Sequence, residues 1–244
     1  MRRVFRYVGL VLAVLIGIYF ALLFTVPEKF LPLVQKMERG RAGLVEKSIP
    51  VGSHVIRYVE TRGTGDHVVL LHGFGGDKDN WVRMAPFLAK RNYHLVIPDL
   101  PGWGESTRLA DTDYSPHAQV DRLEAIVAAL GLETFHLAGN SMGGSIAGLY
   151  AAKYPHRVRT LTFYDNAGVP TAVKNERQVL LAQGTNVLLV QKPEDFDRML
   201  EWLFVEKPFI PSPVKRVLAQ KAQRDSVANA KIFEQVVAEH SALL

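Results

Sequence analysis

The hydrophobic pattern of the chain falls into three regimes. Residues 7–26 read YVGLVLAVLIGIYFALLFTV, without a single charge. At a rise of about 1.5 Å per residue, a helix over this stretch matches the roughly 30 Å hydrocarbon layer of a bilayer. The stretch is apolar all round, unlike a core-facing amphipathic helix. A cleaved signal peptide would need a shorter apolar region and a small-x-small cleavage site, and no convincing Ala-x-Ala pattern precedes Pro27. The pattern predicts a retained transmembrane anchor at residues 1–26. A juxtamembrane linker with a short helix is expected at 27–44, where Pro27, Pro32, Gly40 and Gly43 fall.

In the second regime, short apolar runs alternate with helical spacing. Strand-type runs at 45–50 and 54–61 flank the turn Val51-Gly52-Ser53. HVVLL at 67–71 and YHLVI at 93–97 are continuous apolar runs, as expected of strands buried on both faces. Further strands are expected at 135–138 and 159–164, and helices at 81–90, 116–130 and 145–153. In the second of these helices Val120, Leu123, Ile126, Val127 and Leu130 recur at three and four residues. This order predicts an α/β fold with a doubly wound, mainly parallel sheet over residues 45–169.

The third regime, residues 170–244, has few strand signals. Phe196, Met199, Leu200 and Leu203 form one helical stripe, and the apolar positions from Val217 to Val237 suggest one long final helix. A helical cap over the sheet is expected. Trp202, Phe204 and Phe209 are either ordinary core positions or an apolar path for an acyl chain.

Composition narrows the picture. A chain of 244 residues, 48% hydrophobic, can bury one substantial core beside the anchor. The absence of cysteine excludes disulfides, zinc thiolates and a cysteine nucleophile. The net charge of +5 lies within residues 1–45, in Arg2, Arg3, Arg6, Lys29, Lys36, Arg39 and Arg41 against Glu28 and Glu38. Basic charge beside an apolar run is a membrane-surface signature, and the balanced remainder gives nucleic-acid binding no support. Arg2, Arg3 and Arg6 favour a cytoplasmic N-terminus with the domain outside, although the basic residues beyond the anchor weaken that bias.

Two motifs carry chemistry. Gly139-Asn140-Ser141-Met142-Gly143 is a G-x-S-x-G sequence between an apolar strand and a helix. A serine nucleophile needs a strained strand-to-helix turn, and flanking glycines remove the side chains that would clash there. A glycine-rich turn without function is the plain alternative, but the strand before and the helix after favour a nucleophile at Ser141. His72-Gly73-Phe74-Gly75-Gly76 follows the strand HVVLL. Acyl transfer needs two backbone N–H donors for the oxyanion, and Phe74 and Met142 are the candidates. A phosphate loop is disfavoured, since no Lys-Ser or Lys-Thr follows these glycines and no G-x-G-x-x-G is present. His72 precedes the glycines and is read as bracing the loop.

HGFGG, then DLPGWGES at 99–106, then GNSMGG at 139–144 together resemble the α/β-hydrolase fold family. With the N-terminal helix and the segment EDFDRMLEWLFVEKPFIP, the chain is most similar to membrane-anchored monoacylglycerol lipases and related bacterial lipases. The resemblance implies a serine hydrolase of carboxylic esters, such as monoacylglycerols, working through an acyl-enzyme on Ser141. It implies no metal and no organic cofactor, a small-molecule ester or lipid as substrate, and a bacterial inner membrane with the domain on the periplasmic side. The elbow GNSMGG is also similar to that of hydrolases cleaving carbon–carbon bonds in ring-fission products, which stays an alternative. A serine at 141 argues against the branches that attack with a carboxylate.

Family members place the acid and then the histidine of the triad after later strands. After Ser141 this chain has only His156 and His240. His156 follows Tyr154-Pro155 at a helix end, His240 lies near the terminus of the last helix, and neither reads as the base. Asp165 is a weak candidate for the acid. The last strands of the fold, with the histidine, are expected beyond residue 244, so that a catalytically incomplete remnant or binding module is a further alternative.

Overall fold

The computed structural model describes residues 2–169, 173 and 176–242. Two compact units divide the chain, Met1–Met37 with Thr185–Ser226, and Glu38–Gly184 with Val227–Leu244.

The larger unit is built on a six-stranded sheet. β1 (Leu44–Val51), β2 (His54–Thr61), β3 (His67–Leu71), β4 (His94–Pro98), β5 (Phe135–Asn140) and β6 (Val158–Tyr164) lie in the order β1-β2-β4-β3-β5-β6. β1 and β2 form an antiparallel hairpin, β2 runs antiparallel to β4, and β4, β3, β5 and β6 are parallel. The doubly wound, mainly parallel sheet expected from the alternation is therefore present.

The helices of this unit are α3 (Ala85–Ala89), α4 (Pro116–Ala129), α5 (Met142–Lys153), α6 (Glu176–Ala182) and, later in the chain, α9 (Ser226–Ala242). The central strands bury both faces by alternation. Val69 and Leu71 pack with Leu123, Val127, Leu137, Ile146 and Tyr150 on the side of α4 and α5. Val68 and Leu70 pack with Leu95, Ile97, Trp81 and Ala85 on the other. At about 25 cal/mol per Å² of apolar surface removed from water, burying such side chains stabilises the fold by roughly 1.5–3 kcal/mol each.

The smaller unit holds α1 (Arg2–Thr25), most of α2 (Pro27–Arg41), α7 (Asp195–Leu203) and α8 (Ser212–Arg224). Within α1, Tyr7–Thr25 has a mean hydropathy of 2.6 and is long and apolar enough to cross a membrane. Val190, Phe196, Leu200 and Ala219 form a small core between α7 and α8.

Three element expectations change. Residues 81–90 do not form one helix: a 3-10 turn at Lys78–Trp81 precedes the short α3, whose first turn contains Pro86, which has no N–H to continue an earlier helix. The expected long final helix is two, α8 and α9, meeting at Asp225. The linker is mostly the 15-residue α2, and its last turn joins the folded core. Arg39 is buried there, its Nε and Nη2 each 2.6 Å from an Asp79 carboxylate oxygen and its Nη1 3.0 Å from Glu46. This arginine, grouped by sequence with the membrane-facing charges, is an internal ion-pair residue.

Candidate active site

Ser141 stands where β5 passes into α5. Its backbone has φ 51° and ψ −117°, a left-handed φ that non-glycine residues rarely adopt. Hydrogen bonds hold this strained turn from several sides. Ser141 N–H donates to the Tyr164 carbonyl at the end of β6, and the Ser141 carbonyl accepts from Gly144, Ser145 and Ala167 N–H groups. The Asn140 side-chain amide also donates to the Tyr164 carbonyl.

The flanking glycines are required by close approach. A Cβ on Gly139 would sit 2.2 Å from the Gly143 carbonyl oxygen, and one on Gly143 would sit 2.5 Å from that of His72. α5 thus begins directly at Met142, whereas the pattern placed its start at residue 145. Its hydrogen-bond ladder starts with Gly144 and Ser145 N–H on the Ser141 carbonyl, which leaves Met142 and Gly143 N–H ahead of it without an intrahelical acceptor, and the helix dipole favours negative charge at this end.

The loop after β3 runs alongside. A Cβ on Gly73 would lie 3.1 Å from the Ser141 Cβ. Gly76 N–H donates to the Gly73 carbonyl, and Gly75 has φ 72°, so Gly73–Gly76 has the pattern of a type II turn. The closing hydrogen bond of that turn does not use Phe74 N–H. The Phe74 ring is held edge-on by Trp103 at 4.8 Å and by Phe233 of α9 at 5.4 Å between centroids. Ser141-Met142 and the Phe74 loop, two segments far apart in sequence, are therefore brought together at the C-terminal end of the parallel strands.

His72 braces this loop from within the core. Its Nε2 accepts from Leu100 N–H at 3.0 Å, so its Nδ1 carries the proton and donates to the Gly73 carbonyl at 2.8 Å. Complete burial pushes its pKa below the ordinary 6.5, against the pull of the Gly73 carbonyl and Asp99. The folded state keeps this ring neutral, so below about pH 6.5 the unfolded chain takes up a proton that the folded one refuses. Stability should fall as pH drops through that value, by at most about 1.4 kcal/mol per pH unit for this group. Urea melts between pH 7 and 5 should show the slope, and His72→Gln should flatten it. His54 and His67, also lowered mainly by burial, contribute with the same sign.

His67, His94 and His136 lie at or near the N-terminal ends of their strands, opposite Ser141, with His136 against Thr160. His156 is exposed in the short turn Pro155–Arg157, and the His240 side chain lies outside the described residues. Asp165 is exposed just after β6 with φ 47°. The two residues after it fold back: Ala167 N–H binds the Ser141 carbonyl, and Asn166 Oδ1 lies 2.2 Å from where a Gly144 Cβ would be.

Sequence reasoning missed the charged support beneath the loop. Lys78, fully buried, reaches Asp99 Oδ2 at 2.8 Å and Glu105 Oε2 at 2.7 Å. Asp99 also accepts Lys78 and Glu105 N–H, and Ser106 Oγ donates to the Asp99 carbonyl. Burial disfavours the Lys78 ammonium, but Asp99 and Glu105 outweigh it and raise its pKa. Glu105 is lowered by Lys78 against the opposing effect of burial. Nothing local in the sequence DKDN marks Lys78 as buried.

The profile of the alpha/beta hydrolase fold matches residues 66–207. The chain belongs to the alpha/beta hydrolase fold family. Among relatives of the chain, Lipase 3 of Moraxella sp. (strain TA144) is 38% identical over 206 residues, 83% of the chain and 65% of the lipase. Monoacylglycerol lipase ABHD6 of Homo sapiens is 33% identical over 192 residues, 74% of the chain and 57% of that protein. The chain thus spans less than two thirds of either relative. A solved structure described as a membrane phospholipase A and novel bacterial virulence factor superposes on the chain with a TM-score of 0.84 at 44% identity. The match covers 96% of the chain and 74% of that structure.

Proposed function

We propose that this alpha/beta hydrolase carries the acylating machinery of a membrane-anchored serine hydrolase of lipid esters. The observation that carries the reading is Ser141 at φ 51°, between two glycines that admit no Cβ and beside the Gly73 turn. The lipase and phospholipase relatives support lipid esters over other carboxylic esters.

In this mechanism Ser141 Oγ attacks the ester carbonyl and the carbonyl oxygen becomes an oxyanion. Phe74 and Met142 N–H groups donate to it, one from the turn after β3 and one from the first turn of α5. Deleting one such donor costs about 2.7–4 kcal/mol of transition-state stabilisation in comparable sites. Collapse of the tetrahedral intermediate expels the alcohol and leaves the acyl group on Ser141, and water then releases the fatty acid. The serine proton requires a base, and no residue of this chain is assigned that role. Monoacylglycerol serves as the test substrate. The intact protein, expressed from its gene and assayed in membranes, should release fatty acid, and Ser141→Ala should remove that activity. Unchanged hydrolysis by the variant would refute the assignment.

Residues 7–26 hold the protein in the membrane in this reading, with Arg2, Arg3 and Arg6 on the cytoplasmic side and the domain in the periplasm of a bacterial cell. Insertion of a spanning helix is effectively irreversible beside peripheral binding. Alkaline carbonate should leave the protein in the membrane pellet, and removal of residues 1–26 should release it. Release of the intact chain by carbonate would contradict the anchor.

A further inference from the structure

In the smaller unit, the segment joining α7 to α8 exposes large apolar side chains. Leu203 is 50% exposed, Phe204 44%, Val205 107% and Phe209 91%. The acyl path suggested for Phe204 and Phe209 with Trp202 is thus not a buried channel: these two rings face outward. Such a concentration of apolar surface in one short loop marks a contact surface.

The next helix carries the complementary charge. α8 contains Lys215, Arg216, Lys221 and Arg224 and no acidic residue. Arg198, Lys207 and Lys215 are paired with Asp195, Glu201 and Asp197. Arg216, Gln220, Lys221 and Arg224 fall on the exposed side of α8, at spacings that place them along one face. Glu206 is the carboxylate within the apolar loop, next to Lys207.

The position of α8 identifies what this surface meets. α8 packs against α1 within the same unit, and among the described side chains of α1 only Leu23 is buried. The burial of Leu23 fits a contact at the C-terminal end of α1, where the apolar span Tyr7–Thr25 stops. If α1 spans a bilayer, that end is at the headgroup level, and so is α8.

We propose that residues 203–209 and the exposed face of α8 form a surface that lies on the bilayer holding α1. Phe204, Val205 and Phe209 enter the boundary between headgroups and acyl chains, and Arg216, Lys221 and Arg224 meet the phosphates of anionic phospholipids. Apolar residues beside a basic helical face combine burial with attraction to negative headgroups, the two contributions that hold interfacial segments to membranes. This inference rests on the reading of α1 as a membrane span.

The chain has no cysteine, so single cysteines introduced by Phe209→Cys, Leu15→Cys or Phe87→Cys can carry an environment-sensitive fluorophore in the full chain. Each labelled protein is reconstituted into vesicles containing brominated lipid, either phosphatidylcholine alone or phosphatidylcholine with phosphatidylglycerol. Position 15 reports the anchor, and position 87, 69% exposed on α3 of the larger unit, is the reference, its access to water set by quenching with aqueous iodide. The label at 209 should be quenched several-fold more than that at 87, and more strongly with phosphatidylglycerol. The triple variant Arg216→Gln, Lys221→Gln, Arg224→Gln should lose the phosphatidylglycerol-dependent part. Quenching at 15 with position 209 as accessible to water as position 87 would overturn the surface while leaving the anchor intact. Loss of quenching at 15 would overturn the anchor and, with it, this inference. A phosphatidylglycerol effect unchanged in the triple variant would overturn the role of α8.

Discussion

Gly143→Ala should leave a protein that folds poorly and loses about a hundredfold or more in ester hydrolysis, the scale of effect expected from displacing a reacting group by about 1 Å. The added Cβ would lie 2.5 Å from the His72 carbonyl oxygen and 2.6 Å from that of Leu71. These are backbone atoms in the sheet and in the loop that carries Phe74, so no side chain can swing away. α5 must withdraw from β3, carrying Ser141 and Met142 away from the Phe74 turn. Overpacking of this kind costs typically 1–3 kcal/mol, and roughly that loss should appear in urea melts. A methyl at Gly40, which meets nothing within 4 Å, is the control that should leave activity unchanged.

Lys78→Met should destabilise the protein by about 3–5 kcal/mol, as removal of one partner of a buried ion pair does elsewhere. The methionine fills much of the space but leaves Asp99, itself fully buried, without its cation. Asp99→Asn in the same chain should recover part of the loss by removing the stranded charge. Lys153→Met, which breaks the solvent-screened pair with Asp121, should leave the urea midpoint close to that of the parent protein. Equal effects of the two lysine substitutions would show that the Lys78 network is solvated and does not support the loop.

The parts of this molecule that are legible in its sequence are those set by local periodicity. HVVLL and YHLVI locate β3 and β4 to within a residue, because strands covered on both faces need unbroken apolar runs. The nucleophile turn is legible because glycine is required wherever two backbones meet without room for a Cβ. The same glycines hid the start of α5, since GNSMGG reads as loop although residue 142 onward is helix. The break between α8 and α9 carries no glycine or proline, and Asp225 itself keeps helical dihedrals, φ −81° and ψ −5°. Arg39 was misread for a different reason. Its partner Asp79 is 40 residues away, and only the folded chain brings the two together.

The support of the site was the least legible part. His72 could be read as a brace from its place before the glycines, and its two hydrogen bonds give that reading a geometry. Lys78, Asp99 and Glu105 could not be grouped, because buried lysine and surface lysine look alike in a string of letters. The base is open in the sequence; in the structure His72 is bonded to Leu100 and Gly73, and His67, His94 and His136 lie at the other end of the sheet.

Covalent labelling of Ser141 tests the central claim most directly. The intact protein in its membrane should react with a fluorophosphonate, and peptide mapping should find the adduct on Ser141. Ser141→Ala should abolish the label, and prior exposure to a long-chain fluorophosphonate should block fatty-acid release in proportion to labelling. An adduct on another residue, or labelling that survives Ser141→Ala, would contradict the account.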